Sequence, residues 1–128
     1  MKPGMRLKFF TESTGEVFAE VIDRNPKTSK AILQALPIES TANRWGEEVY
    51  FETTVKLGEE KATRDVEVGD VAYWPPGRAI CIFFGRTPAS RGEKPRAYSP
   101  VNVFARIVGD PKVFSRVRDG EKIMVFAI

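Results

Sequence analysis

The chain has 128 residues, of which 42% are hydrophobic and 29% are charged, and its formal net charge is +3. This composition predicts one globular domain over residues 1–128, and so small a net charge gives no support to nucleic-acid binding. Histidine is absent and Cys81 is the single cysteine. Those counts exclude histidine-dependent nucleophiles, an internal disulfide and cysteine or histidine metal sites, so neither a metal nor a cofactor is predicted.

The N-terminal segment contains no apolar stretch of the length that a secretion signal or a membrane span requires. Its hydrophobic run, residues 5–10, is short and has polar residues on both sides. Together with the single cysteine, this predicts a cytoplasmic protein that does not enter a membrane.

Two strands and a helix are predicted in the first third of the chain. Residues 5–10 and 16–22 are rich in strand-forming residues and are separated by a turn at 13–15, which predicts a hairpin. Asn25 then caps a helix of about three turns, which Pro37 ends.

The rest of the chain is predicted to be mainly β. Further strands are expected at 47–51, 71–74, 79–84, 101–107 and 122–128, and a second short helix after Asp110. Seven or eight short strands with two short helices favour a closed, eight-stranded barrel with the helices over its ends, and the alternative is an open sandwich. Closure is favoured because the first and last strands are hydrophobic and would be prone to aggregate as free edges.

Four stretches carry a family resemblance: Trp45 to Phe51, Gly69 to Gly77, Ile82 to Gly85 and Val101 to Val103. On these stretches, nearly the whole chain resembles the small prokaryotic cyclophilin-like domain family, whose function is unassigned. The resemblance implies a cyclophilin-type eight-stranded barrel capped by helices.

The wider cyclophilin family binds proline on the outer face of the barrel, where an arginine contacts the peptide and aromatic rings form the pocket floor. The resemblance matches Phe84 to a floor ring, but it places Glu52 where the arginine is expected and Val101 where a histidine is expected. The family's tryptophan has no counterpart, since residues 95–97 read Pro-Arg-Ala. The resemblance therefore implies the barrel without the polar residues of prolyl isomerisation.

Two stretches that combine aromatic and charged side chains are candidate ligand sites. One contains Trp74 and Arg78 around a proline-rich turn, and the other contains Arg44, Trp45, Glu48 and Tyr50. Aromatic faces bind apolar or prolyl groups, and an arginine orients a carboxylate or a carbonyl. Core packing is the commoner fate of large rings. For Glu48, a solvent-facing carboxylate is favoured over a buried, arginine-paired acid with a shifted pKa.

Residues 85–100 form a basic segment that begins near Arg86 and carries the chain's excess of positive charge. It is either a mobile lid that attracts an anionic ligand or a solvated loop, and charged loops are usually the latter.

Cys81, between two isoleucines, is interpreted as an inert buried residue.

Three functions remain open, and no residue is assigned as catalytic. The favoured one is a non-enzymatic domain that binds a small metabolite or an extended peptide in a groove lined by Trp74, Phe84 and neighbouring arginines. The second is a weak or atypical prolyl isomerase in which a displaced arginine (Arg44, Arg78 or Arg86) stabilises the twisted amide. The third is a subunit whose aromatic patch contacts another copy or a partner protein.

Overall fold

The computed structural model describes residues 5–128. Residues 1–4, which the single-domain and secretion-signal predictions include, lie outside the described part. Residues 5–128 form ten strands, one α-helix and one 3₁₀ helix, so the predicted mainly β class is confirmed. No helix among them has the length and apolar character needed to cross a membrane.

The elements follow the chain in an order close to the predicted one. They are β1 Arg6–Thr11, β2 Gly15–Val21, α1 Pro26–Ala35, β3 Ile38–Thr41, β4 Asn43–Arg44, β5 Glu48–Glu52, β6 Thr63–Asp65, β7 Asp70–Trp74, β8 Ala79–Phe83, β9 Arg96–Ile107, the 3₁₀ helix Pro111–Arg116 and β10 Lys122–Ala127. The short strands β3, β4 and β6 were not predicted, and β9 begins well before its predicted start at Val101. The predicted second helix is present in the tighter 3₁₀ form.

The sheet has the strand order β3-β10-β1-β2-β9-β7-β8-β5-β4, and β6 pairs with β9 off this path. More strands take part than the eight that were predicted. Among residues 5–128 no hydrogen-bonded ladder joins the two ends of the sheet, β3 and β4. The hydrophobic strands β1 and β10 do pair with each other, so that neither is a free edge.

The two ends of the sheet are adjacent in the chain, because Ala42 alone separates β3 from β4. Ala42 is fully buried. Its N–H donates to the carbonyl of Glu121 and its carbonyl accepts from the N–H of Gly120, both at 2.8 Å. Chain continuity and these two bonds hold the ends together where a ladder is missing.

Helix α1 begins at the predicted position, but its N-terminus is capped by a distant residue. The side chain of Asn25 makes no cap and instead donates to the carbonyl of Val103 at 2.7 Å. The carboxylate of Glu60 accepts from the backbone N–H groups of Lys27 and Thr28, at 3.2 and 2.9 Å. Glu60 thus takes the role that the sequence assigned to Asn25.

Apolar side chains occupy both faces of the sheet in its β5, β7, β8 and β9 part. Fully buried rings and large aliphatic chains of the interior core include Phe9, Phe51, Tyr73, Ile80, Ile82, Phe84 and Phe104. A second cluster on the outer face contains Val66, Ala72, Cys81, Phe83, Ala97, Val101 and Val103, with Tyr50 and Trp74 packed against it. The candidate functional site lies on this outer cluster.

Candidate functional site: an aromatic pocket with a buried carboxyl group

A cavity of about 280 Å³, here called the aromatic pocket, opens on the outer face of β5, β8 and β9. Its lining residues are Trp45, Glu48, Tyr50, Trp74, Cys81, Ala97, Tyr98 and Val101. Four of them are aromatic, one is acidic and none is basic. The volume lies just below the usual range for ligand sites, about 300–1,000 Å³, so the pocket suits a small ligand.

Strand register brings Glu48 to this face. In the ladder between β5 and β8, Glu48 is opposite Phe83 and Tyr50 is opposite Cys81. Alternate residues of a strand share a face, so these four side chains project outward while Val49 projects into the core. Glu48 and Cys81 are diagonal neighbours, which is within reach for side chains of their length.

The carboxyl group of Glu48 is buried without a counter-charge. Only 5% of the residue is exposed. Among residues 5–128, no lysine or arginine forms an ion pair with it, and the thiol of Cys81 is its neighbour in the pocket lining. The favoured prediction of a solvent-facing carboxylate is therefore wrong, and so is the pairing with an arginine.

Burial decides how this group titrates. It raises the pKa of Glu48 to about 7, and the hydrogen bond with the Cys81 thiol offsets only part of the rise. Burial, and then the neighbouring Glu48 carboxylate, raise the pKa of Cys81 well above its usual value, which keeps the thiol neutral. Glu48 is thus the group of this pair that changes charge near neutral pH, a property typical of functional sites.

The four aromatic rings of the pocket form an unbroken series of edge-to-face contacts. The ring centroids of Trp45 and Tyr98 are 5.9 Å apart, those of Tyr98 and Trp74 are 6.0 Å apart, and those of Trp74 and Tyr50 are 6.4 Å apart. The interplanar angles are 81°, 86° and 75°. Neighbouring rings therefore meet nearly at right angles and enclose the pocket from several directions.

Contacts at two of its edges hold the ring of Trp74. Its indole Nε1–H donates to the hydroxyl of Ser99 at 2.6 Å. The six-membered part of the ring lies so close to Gly77 that a Cβ atom there would overlap with it. The absence of a side chain at position 77 lets the 75–78 turn fold against the ring.

Trp45 is placed by a tight turn between β4 and β5. Its N–H donates to the carbonyl of Glu48 at 3.0 Å, and Gly46 adopts a φ of +59°, which favours glycine. Arg44 donates through Nε and Nη2 to the carbonyl of Gly46, at 3.2 and 3.1 Å. Its Nη1 reaches two carbonyls at the end of the 3₁₀ helix, at 3.2 and 2.9 Å. Arg44 thus anchors the turn that carries Trp45.

Four of the eight residues predicted to bind a ligand lie together in the pocket: Trp45, Glu48, Tyr50 and Trp74. The other four do not line it. Phe84 is fully buried in the interior core, and the guanidinium of Arg44 lies 5.0 Å from the centroid of its ring. Arg78 and Arg86 are exposed, and the former ends the 75–78 turn with a φ of +49°.

Four lining residues were not predicted as ligand-binding residues: Cys81, Ala97, Tyr98 and Val101. Tyr98 lies in β9, within the segment that was interpreted as a basic loop, and 67% of it is exposed at the pocket mouth. Alternation along β8 was the available signal for Cys81, because Ile80 and Ile82 on either side face the core. For Val101, the signal was its match to the histidine position of the family pocket, and no signal pointed to Ala97.

The cations of the basic segment 85–100 do not line the aromatic pocket. Lys94 pairs with Glu67 at 3.0 Å and Arg96 with Asp65 at 4.0 Å, both pairs at the surface. Residues 96–100 of the segment belong to β9, so only its first part is a loop.

The side chains of the pocket favour an organic ligand over a metal ion. Within residues 5–128, no group of three acidic, cysteine or histidine side chains is arranged to hold a metal. The pocket offers one carboxyl group and one neutral thiol, whereas structural metal sites use about four ligands. Its surface is otherwise aromatic and aliphatic.

Comparisons with known proteins agree with the fold. The chain matches the cyclophilin-like family over residues 5–126. It is similar to the solution structure of a hypothetical protein from Archaeoglobus fulgidus, at 49% identity and a TM-score of 0.82, over 98% of this chain and 95% of that chain. No curated protein matches.

The first prediction concerns the position of Trp74. The substitution Gly77→Ala should displace the indole, because the added methyl group overlaps with the ring. We expect a changed chemical shift of the Trp74 indole N–H and faster hydrogen exchange, since its bond to Ser99 is lost. Gly92→Ala is the matched control, as the position is open and its φ is not in the left-handed region. An unchanged Trp74 signal in Gly77→Ala would contradict the described packing.

The second prediction concerns pH and Glu48. Its pKa is raised from 4.5 to about 7 on folding, so its contribution to stability is complete below about pH 4.5 and is lost as the pH rises through about 7. Glu48→Gln stays neutral at every pH and does not show this loss. The unfolding free energy of the variant minus that of the parent should therefore be about 3 kcal/mol larger at about pH 8 than at about pH 4. Denaturant melts of both proteins across this range measure the difference, and parallel pH profiles would rule out the raised pKa.

Proposed function

This chain belongs to the cyclophilin-like family, and we propose that it is a binding domain that takes a small metabolite, or a side chain of an extended peptide, into the aromatic pocket without isomerising prolyl bonds. The observation that carries the proposal is Glu48. Its carboxyl group is buried among four aromatic rings, has no ion-pair partner in residues 5–128, and faces a cavity large enough for a small ligand.

The energetic cost of this arrangement supports a ligand. Burial of a carboxylate away from water is unfavourable unless a charge or several hydrogen-bond donors compensate it. Cys81 supplies one weak donor. An apolar residue at position 48 would be easier to accommodate among these rings, so the acid is better explained by a bound partner than by folding.

The same pocket lacks the arginine and the histidine that the wider family uses for prolyl isomerisation. Stabilisation of a twisted amide needs a hydrogen-bond donor or a positive charge near its carbonyl or nitrogen. Val101 lines the pocket where the family's histidine is expected, the family's tryptophan has no counterpart, and no arginine lines the pocket. Glu52, at the position of the family's arginine, is exposed outside the pocket. An ionised Glu48 would repel a peptide carbonyl.

We further propose that the sheet forms a barrel and that the protein is cytoplasmic. We treat the sheet as a barrel whose seam at Ala42 is closed by chain continuity, which keeps β5 and its pocket residues in a fixed position. A free, buried cysteine and the lack of any disulfide partner for it suit the reducing cytoplasm.

Ligand binding is tested by screening small metabolites and short peptides against the isotope-labelled protein by NMR. Ligands should shift the indole N–H signals of Trp45 and Trp74 together, because both rings line one cavity. Trp74→Ala removes one wall and should weaken the best ligand by about tenfold or more. Phe10→Ala, a similar loss of a partly exposed ring on β1, is the control and should change affinity by less than about twofold. Ligands that shift only signals outside the pocket would refute the proposal.

Catalysis is tested by an NMR exchange assay on standard proline peptides. We expect no acceleration above the uncatalysed rate, because no arginine or other cation lines the pocket to stabilise the twisted amide. A functional cyclophilin serves as the positive control. A rate comparable with that of the control would replace binding with isomerisation as the function.

A further inference from the structure

We propose that the ligand of the aromatic pocket carries an organic ammonium group, which the rings enclose and to which Glu48 is the counter-ion. This inference rests on the proposed binding function and names the chemical class of the ligand. It follows from the charge of the lining residues, from the arrangement of the rings and from the lack of any positive partner for Glu48.

The charges around the pocket favour a cation. Glu48 is the ionisable acid of the lining and no base is present. Basic side chains beside the lining residues bond to the backbone: Arg44 donates to the carbonyls of Gly46 and Val117, and Arg64 donates through Nε to the carbonyl of Ala97 at 3.0 Å. An ionised Glu48 would repel an anionic ligand, and a neutral ligand would leave its charge uncompensated.

The rings favour a particular kind of cation. The face of an aromatic ring attracts a positive charge within about 6 Å, most strongly for tryptophan, and quaternary ammonium groups are bound by cages of such rings. Trp45, Tyr98, Trp74 and Tyr50 meet nearly at right angles. An ammonium group bearing methyl or alkyl groups presents both an apolar surface to such walls and a charge to Glu48. A small metal ion would find too few oxygen ligands there.

The titratable groups that face Glu48 come from three strands. They are Tyr50 on its own strand β5, Cys81 on β8 and Tyr98 on β9, while Trp45 and Trp74 contribute none. Cys81 stays neutral because burial raises its pKa. Binding of a cation should favour the ionised form of Glu48 and release its proton. The affinity for the cation should therefore fall about tenfold for each unit by which the pH drops below about 7. Above about pH 7 the affinity should be constant.

The test compares choline with dimethylbutanol, in which a carbon atom replaces the ammonium nitrogen, by isothermal titration calorimetry. The two probes share shape and differ in one charge. At about pH 8 we expect choline to bind more than tenfold more tightly than its neutral isostere, with an affinity that falls on acidification while that of the isostere does not. Glu48→Gln should reduce choline affinity by about tenfold or more and abolish the pH dependence. Glu52→Gln removes an exposed carboxylate from the same strand and should change Kd by less than about twofold.

The outcomes separate this inference from the proposed function. Equal affinity for the two probes, or tighter binding of the isostere, would overturn the ammonium assignment and leave a neutral-ligand pocket. Failure of both to bind, while the metabolite screen yields ligands that shift Trp45 and Trp74, would also overturn it and leave the binding function standing. A peptide containing trimethyllysine serves as a further probe: tighter binding than choline would identify a protein side chain as the source of the ammonium group, and weaker binding a free small molecule. If Glu48→Gln does not fold, the pH dependence of choline affinity in the parent protein decides. An affinity that does not fall on acidification would overturn the ammonium assignment.

Discussion

The pairing of β5 with β8 determines the core and the pocket at once. With Tyr50 opposite Cys81 and Phe51 opposite Ile80, Phe51 and Ile80 face the interior while Tyr50 and Cys81 face outward. A slip of one residue would turn Glu48 into the core and Phe51 onto the surface. The fully buried interior side of both strands opposes such a slip. The position of the carboxyl group in the pocket is therefore maintained by hydrophobic packing on the other face of the sheet.

This pocket differs from an ordinary apolar crevice because its one ionisable acid is poised between two states. Neutral Glu48 suits the empty site, since aromatic rings and a thiol solvate a carboxylate poorly. Ionised Glu48 suits a site that holds a positive charge. The stability of the free protein and its affinity for a cation should thus respond to pH in opposite directions, with the same group responsible for both. A structural ion pair would not behave in this way.

Local sequence patterns predicted most strands, but the site depended on contacts between distant segments. Strands such as β7 and β8 are visible as apolar runs between turns, and clustering of aromatic and acidic residues indicated Trp45, Glu48, Tyr50 and Trp74. The burial of Glu48 was not predictable in this way, because Ala97 and Tyr98 are about fifty positions away and lie in a segment dominated by positive charge. Ser99 and Pro100 resemble a loop, yet β9 continues through them beside an irregular pairing with β6.

Phe84 shows how a family match can assign a residue to the wrong face of a sheet. The resemblance assigned it to the pocket floor, whereas alternation along β8 places Phe83 outward and Phe84 inward. Two adjacent phenylalanines do not distinguish these choices by composition. The register with β5 does, and it is a non-local property of the fold.

In this account, burial brings the pKa of Glu48 close to neutral pH, and the ionised carboxylate is the counter-ion of a positively charged ligand. Carbon-detected NMR titration of the Glu48 side chain, in the free protein and in the presence of saturating choline, tests this claim most directly. The account predicts a pKa of about 7 in the free protein and a clear decrease on binding. A free-protein pKa near the ordinary value of 4.5, or a pKa that choline leaves unchanged, would contradict it.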